Sequence, residues 1–62
     1  MLEQAIKIVR ERGEESVNVT RLGDLIGYII ANCPKSWLKD DDKIVRCGIA
    51  MYFKDDLSEF RS

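Results

Sequence analysis

Apolar residues recur at helical spacing at the start of the chain. Leu2, Ala5 and Val9 lie three and four residues apart, with charged residues between them, and this is the pattern of an amphipathic helix. Gly13 suits the left-handed position that commonly follows a helix. The pattern therefore predicts a helix over residues 2–12.

The densest apolar stripe lies in the middle of the sequence. Its members repeat at helical spacing: Leu22, Leu25, Ile26, Ile29 and Ile30. Thr20 is a natural N-cap, so we predict a helix over residues 20–32, preceded by a short strand at 17–19 where apolar and polar residues alternate. Gly23 and Gly27 lower helix propensity, so we expect another helix to pack closely against this one.

Pro34 interrupts the second pattern and favours the first turn of a new helix. A third helix is predicted over residues 34–45, with Trp37 and Leu38 facing inward. The aspartates at 40–42 offer a second interpretation, in which they cap a fresh helix after a loop. The sequence leaves both open.

The segment after residue 44 fits two patterns. Strict alternation, as in a half-buried strand, runs through Val45, Cys47, Ile49, Met51 and Phe53. A helical stripe runs through Val45, Ile49, Tyr52, Phe53, Leu57 and Phe60. We favour the strand because β-branched and aromatic residues crowd the segment. The predicted fold is a single, mainly α domain over residues 1–62: a small three-helix or winged-helix-like domain with short β segments.

Composition narrows the function classes. The chain has 62 residues, 45% of them apolar, which suffices for one core but not for a core and a deep, buried pocket of ~300 Å³ or more. We therefore expect no small-molecule substrate.

Ten basic and eleven acidic residues leave a net charge of −1, so any face that binds nucleic acid must be local. No apolar run approaches the ~18 residues of a membrane span, and no signal-peptide pattern occurs. We expect a soluble, cytoplasmic protein without membrane contact.

The chain holds little material for catalysis. It contains no histidine, the commonest general base and metal ligand. Cys33 and Cys47 are interpreted as reduced, buried small hydrophobes. The acidic clusters at 40–42 and 55–56 are interpreted as solvated faces and helix-start charges rather than as a cation site. We therefore expect a non-enzymatic binding module without a cofactor or a metal.

Basic and aromatic residues supply the candidate contacts. On a helix that starts at Pro34, lysines and an arginine would share one face at spacings of four, four and three, with one further arginine beside them: Lys35, Lys39, Lys43 and Arg46, with Arg21. Such a stripe could contact phosphates, or it could be an ordinary solvated face. Tyr28 and Trp37 are the candidate contacts for a protein partner, and Trp37 could also stack on a base.

Residues 17–27, Val-Asn-Val-Thr-Arg-Leu-Gly-Asp-Leu-Ile-Gly, resemble the opening of a helix-turn-helix unit in winged-helix domains. Among these domains they resemble the LOTUS (OST-HTH) type, whose second helix often begins with a comparable run. The resemblance implies RNA or helicase partners. The chain departs from the pattern because residues 28–32 continue helically and Pro34 falls where a recognition helix would run. No family residue is therefore carried over.

These observations predict a nucleic-acid-binding regulator of the helix-turn-helix or winged-helix type, which contacts DNA or RNA through the five basic residues named above. The alternative is a protein-interaction adaptor or inhibitor, self-associating or not, that uses Tyr28 and Trp37.

Overall fold

A computed structural model describes residues 1–60 and shows a mainly helical domain. Its elements in chain order are α1 (Leu2–Glu11), α2 (Val19–Asn32), a 3-10 helix (Lys35–Lys39), α3 (Asp41–Phe53) and a second 3-10 helix (Ser58–Phe60). The predicted helical class is confirmed. No strand occurs among the described residues, so the expected short β segments are not supported. Within the same range, no helix combines the length and apolarity needed to cross a membrane.

The first helix agrees with its prediction to within one residue. Ala5 and Val9 are completely buried, as their spacing indicates. The helix ends before Gly13, which adopts φ +98° and donates its backbone N–H to the Arg10 carbonyl at 3.0 Å. A residue with a side chain would be strained in this conformation.

The predicted strand at 17–19 is wrong, because Val19 is already the first residue of α2. The N-cap is Asn18 rather than Thr20. The Asn18 side-chain oxygen accepts the Arg21 backbone N–H at 3.0 Å, which satisfies one of the free donors at the start of the helix. Three alternating residues gain nothing as a strand without a neighbouring strand to pair with.

The predicted helix over 34–45 is also wrong, and the alternative start at the aspartates is confirmed. The chain forms the short 3-10 helix Lys35–Lys39 and then breaks at Asp40, with φ −125° and ψ 79°. The Asp40 side chain accepts the Lys43 backbone N–H at 3.1 Å. This cap starts α3 along a new direction.

The 3-10 helix changes which side chains turn inward. Trp37 is half-buried, in agreement with its predicted place at the inner edge. Leu38, which a continuous α-helix would turn inward, is 51% exposed. The two geometries differ because a 3-10 helix has three residues per turn and an α-helix has 3.6.

The C-terminal segment is a helix, so the preference for a strand is wrong. α3 packs against α1, α2 and the first 3-10 helix, and its middle is buried on several sides: Ile44, Val45, Cys47, Gly48, Ile49 and Ala50. A helix buried on several sides carries apolar residues around much of its circumference. That is why alternation and helical spacing both fitted this segment.

Among the glycines inside helices, Gly48 lies closest to a neighbouring helix, and the two glycines of α2 are less tightly packed. A Cβ atom on Gly48 would lie 3.0 Å from Cγ1 of Ile26, whereas one on Gly23 would make an ordinary 3.8 Å contact with Leu2. Nothing lies within 4 Å of the Cβ position of Gly27. The expected close packing is therefore absent at Gly27.

Residues 54–60 fold back over the core, and Phe60 packs against it. Lys54 ends α3 with a left-handed φ of 58°. Asp55 then accepts a hydrogen bond from the Arg12 guanidinium at 2.8 Å, which ties this turn to the end of α1. The second 3-10 helix brings the Phe60 ring to 6.2 Å from the Trp37 ring.

Candidate functional site

The basic stripe predicted on one helix is divided between two elements. Lys35 and Lys39 lie on the first 3-10 helix, whereas Lys43 and Arg46 lie on α3, beyond the break at Asp40. The spacing of four, four and three therefore does not describe one helical face. The single-helix stripe is corrected, and the position of each basic residue has to be considered separately.

Arg46 is engaged by carboxylates. Its Nε lies 2.9 Å from a carboxylate oxygen of Asp42, one turn earlier on α3. A second guanidinium nitrogen lies 3.8 Å from Glu59. Because two acidic groups already face this side chain, its charge adds little to an attraction for phosphate.

Arg21 lies apart from the lysines. It starts α2, and its guanidinium carbon lies 5.0 Å from the centre of the Tyr52 ring. It faces a shallow groove that it shares with Asp24, Leu25 and Tyr28. The predicted grouping of Arg21 with the lysines does not occur at this groove.

Lys43 and Trp37 form the centre of the candidate site. The Lys43 ammonium nitrogen lies 4.6 Å from the centre of the Trp37 ring, within the range of a cation–π interaction. Phe60 packs against Trp37 with its ring plane tilted by 54°. These residues and Tyr28 line an open groove of about 610 Å³ between α2, α3 and the two 3-10 helices, which we call the aromatic groove.

Lys35 and Lys39 are exposed on the 3-10 helix that carries Trp37. Neither lysine forms a salt bridge with another residue in the range 1–60. The break at Asp40 thus leaves two exposed lysines on the short helix that carries the half-buried Trp37, whereas Lys43 on α3 contacts the ring.

The aspartates at 40–42 are explained by the start of α3. Asp40 is the N-cap, and Asp41 and Asp42 lie in the first turn, where carboxylates interact favourably with the helix dipole. Asp42 is also paired with Arg46. Across residues 1–60, no group of three or more cysteine, aspartate or glutamate side chains is arranged to hold a metal ion.

Both cysteines also line the aromatic groove. Cys47 is 7% exposed, and burial raises the pKa of its thiol, with a smaller contribution from the neighbouring Cys33. A thiol with a raised pKa stays protonated at neutral pH and is a poor nucleophile. Cys33 is half-buried, and its Sγ lies 3.8 Å from the Ile30 carbonyl oxygen.

Sequence reasoning missed the contribution of Phe60. The helical stripe included this residue, but only the turn at Lys54 places it beside Trp37. Tyr28 and Trp37, which were proposed together as protein contacts, do line one groove. Tyr28 is 61% exposed and also reaches the second groove beside Arg21.

Residues 1–60 thus form a small helical domain with an aromatic groove that Lys43 also lines. Comparison of the chain with protein-family models, with curated proteins and with solved structures found no match in any of the three.

Proposed function

We propose that this domain is a non-enzymatic module that binds single-stranded RNA or DNA in the aromatic groove. The observation that carries the proposal is the Lys43 ammonium 4.6 Å from the Trp37 ring, and Lys35 and Lys39 are exposed on the 3-10 helix that carries Trp37. Aromatic rings provide stacking surfaces for bases, and ammonium groups contact phosphates. The resemblance of residues 17–27 to LOTUS domains points to the same class of partner.

The placement of α3 favours single strands over a duplex. In a helix-turn-helix protein the second helix of the unit lies in the major groove. Here α3 follows α2, but its middle is buried, and its exposed first turn carries Asp41 and Asp42. Acidic side chains would be repelled by the phosphates on either side of a major groove. Unstacked bases, in contrast, need only an accessible ring and nearby cations.

The charges around the aromatic groove determine the expected affinity for a single strand and its dependence on salt. Asp40 and Asp41 lie at the start of α3, where the helix dipole offsets part of their charge, and Asp42 is paired with Arg46. Lys35, Lys39 and Lys43 are the three lysines that can contact phosphate. Three contacts with a single strand predict a slope of about −2 for the logarithm of affinity against the logarithm of salt concentration. Affinity should therefore fall about 15- to 20-fold between 50 and 200 mM salt.

Trp37 reports directly on this proposal because it is the only tryptophan in the chain. Titration with single-stranded oligonucleotides should quench its fluorescence, and duplex of the same length should quench it less. The Lys39→Glu variant should weaken binding and reduce the salt slope by about 0.7. Lys7→Glu is the matched control, since Lys7 is an exposed helical lysine on α1, whereas Lys39 lies on the 3-10 helix that carries Trp37.

Three results would contradict the proposal. The first is the absence of quenching at low salt. The second is an affinity that does not change with salt. The third is an equal loss of affinity in the Lys39→Glu and Lys7→Glu variants, because a local site responds to its own charges and not to the net charge alone.

A protein partner is the second candidate, and it rests on a separate observation. Residues 25–34 contain no charged side chain, yet Tyr28 is 61% exposed and Ile30 is 41% exposed. An exposed uncharged surface with a tyrosine is typical of the central part of a protein interface. Binding to this surface would not depend on Lys39, so the lysine variants also separate the two candidates.

A further inference from the structure

The outer face of α2 forms a second surface, which is distinct from the lysines. Arg21, Asp24, Leu25 and Tyr28 line a shallow groove of about 510 Å³ together with Met51 of α3. At 100° per residue, the four α2 positions fall within about 100° of the helix circumference. We call these four residues the α2 face. It places an apolar centre beside one cation and one anion.

The two charges of this face have no oppositely charged partner among residues 1–60. Arg21 and Asp24 are three residues apart, a spacing that permits an ion pair on a helix. Neither takes part in a salt bridge within the described range of residues. Arg21 instead lies over the Tyr52 ring at 5.0 Å. The α2 face therefore offers one arginine and one aspartate to an external partner.

A surface that bears one charge of each sign is complementary to itself. In an isologous contact about a twofold axis, each residue pair occurs twice. If two α2 helices pack antiparallel, Arg21 of each copy can reach Asp24 of the other, which gives two ion pairs. A parallel arrangement would instead place Arg21 against Arg21 and Asp24 against Asp24.

We propose that the α2 face binds a second copy of this chain, with the two α2 helices antiparallel and the twofold axis beside Asp24 and Leu25. That axis sets Leu25 of each copy opposite Asp24 of the other, near the centre of the contact. It also sets each Tyr28 opposite Arg21 of the second copy, where an arginine–aromatic contact forms. In the second copy, Asp24 lies four residues before Tyr28, or about 6 Å along the helix axis. The Arg21 guanidinium of the first copy, which lies opposite that Tyr28, can therefore also reach that Asp24.

The helix surface next to this face is open. Gly27 has no atom within 4 Å of its Cβ position, and Ala31 is exposed. A second helix can therefore approach α2 without displacing a large side chain. This proposal does not depend on nucleic-acid binding, because Arg21 and Asp24 do not line the aromatic groove.

Charge reversal tests the pairing. Sedimentation velocity from about 1 µM to about 500 µM covers the affinities of small, weak interfaces, and the wild-type chain should shift from monomer to dimer within it. Arg21→Asp and Asp24→Arg should each weaken the dimer about ten-fold or more, because two attractions become two repulsions. An equimolar mixture of these variants should form a heterodimer, since every reversed charge then meets its opposite.

Apolar variants supply the control. Tyr28→Ala should weaken the dimer, whereas Leu38→Ala removes an equally exposed side chain outside the α2 face and should not. Circular dichroism of each variant establishes that the helices are intact. The proposal is overturned if the wild type stays monomeric, if the single reversals leave the dimer unchanged, or if two folded reversal variants fail to associate when they are mixed.

Discussion

Two glycines inside helices, Gly27 in α2 and Gly48 in α3, receive opposite predictions for the same substitution. Alanine in place of a mid-helix glycine gains about 0.5–1 kcal/mol from helix propensity alone. At Gly27 nothing lies within 4 Å of the added Cβ, so the whole gain should appear. We expect Gly27→Ala to raise the free energy of unfolding by that amount and Tm by about 3–6 °C.

At Gly48 the added atom meets the core. Its Cβ would lie 3.0 Å from Cγ1 of Ile26 and 3.6 Å from Cδ1 of Ile29. Both isoleucines are 5% exposed, and Cγ1 is an inner atom that cannot move without the rest of its side chain. Overpacking of this kind costs about 1–3 kcal/mol, which exceeds the propensity gain. We expect Gly48→Ala to lower the free energy of unfolding by about 1 kcal/mol.

Urea denaturation followed by far-UV circular dichroism measures both variants against the wild type. The lowest practical protein concentration keeps self-association from contributing. The reasoning is refuted if Gly48→Ala stabilises the protein as much as Gly27→Ala does, because α2 and α3 would then not be in close contact at residue 48. A lower free energy of unfolding for Gly27→Ala would contradict the inference that a methyl group fits at residue 27 without a clash.

Two further predictions concern a cap and a thiol. Asn18→Ala should lower the free energy of unfolding by about 1 kcal/mol in the same denaturation assay, since it leaves the Arg21 backbone N–H without its acceptor, while Asn18→Asp should keep the cap and most of the stability. Cys33 should react with a thiol reagent before Cys47 does, because Cys47 is buried and burial raises its pKa above the ordinary 9.0. The raised pKa also makes stability depend on pH. The Cys47 thiol contributes stability below pH 9.0, and this contribution is lost as the pH rises through the folded-state pKa. Cys47→Ala should remove that part of the alkaline loss, and equal labelling rates for the two thiols would contradict the burial argument.

The candidate site was predictable in its residues but not in their grouping. The sequence singled out Lys35, Lys39, Lys43 and Trp37, and the structure places Lys43 over the Trp37 ring and the other two lysines on the 3-10 helix that carries Trp37. The prediction that the lysines share one helical face was wrong, because the break at Asp40 separates Lys35 and Lys39 from Lys43. A cap and a mid-helix aspartate look alike in sequence, since the same side chain can serve either.

The sequence by itself determined the positions of α1 and α2, because these depend on interactions between residues close together along the chain. The spacing of Leu2, Ala5 and Val9 predicted α1, and Gly13 predicted its end, because a glycine follows a helix wherever the chain needs a positive φ. The apolar stripe from Leu22 to Ile30 predicted α2, because its residues also repeat at helical spacing.

Only the tertiary structure decided the rest. Whether Val45–Phe53 became a strand or a helix depended on what lay beside it, and α3 formed because α1 and α2 bury it while no strand is present among residues 1–60. The aromatic groove likewise depended on the fold-back of Phe60 onto Trp37. Alternation and helical spacing describe only the residues along one segment, whereas a neighbouring segment determines which side of it is buried.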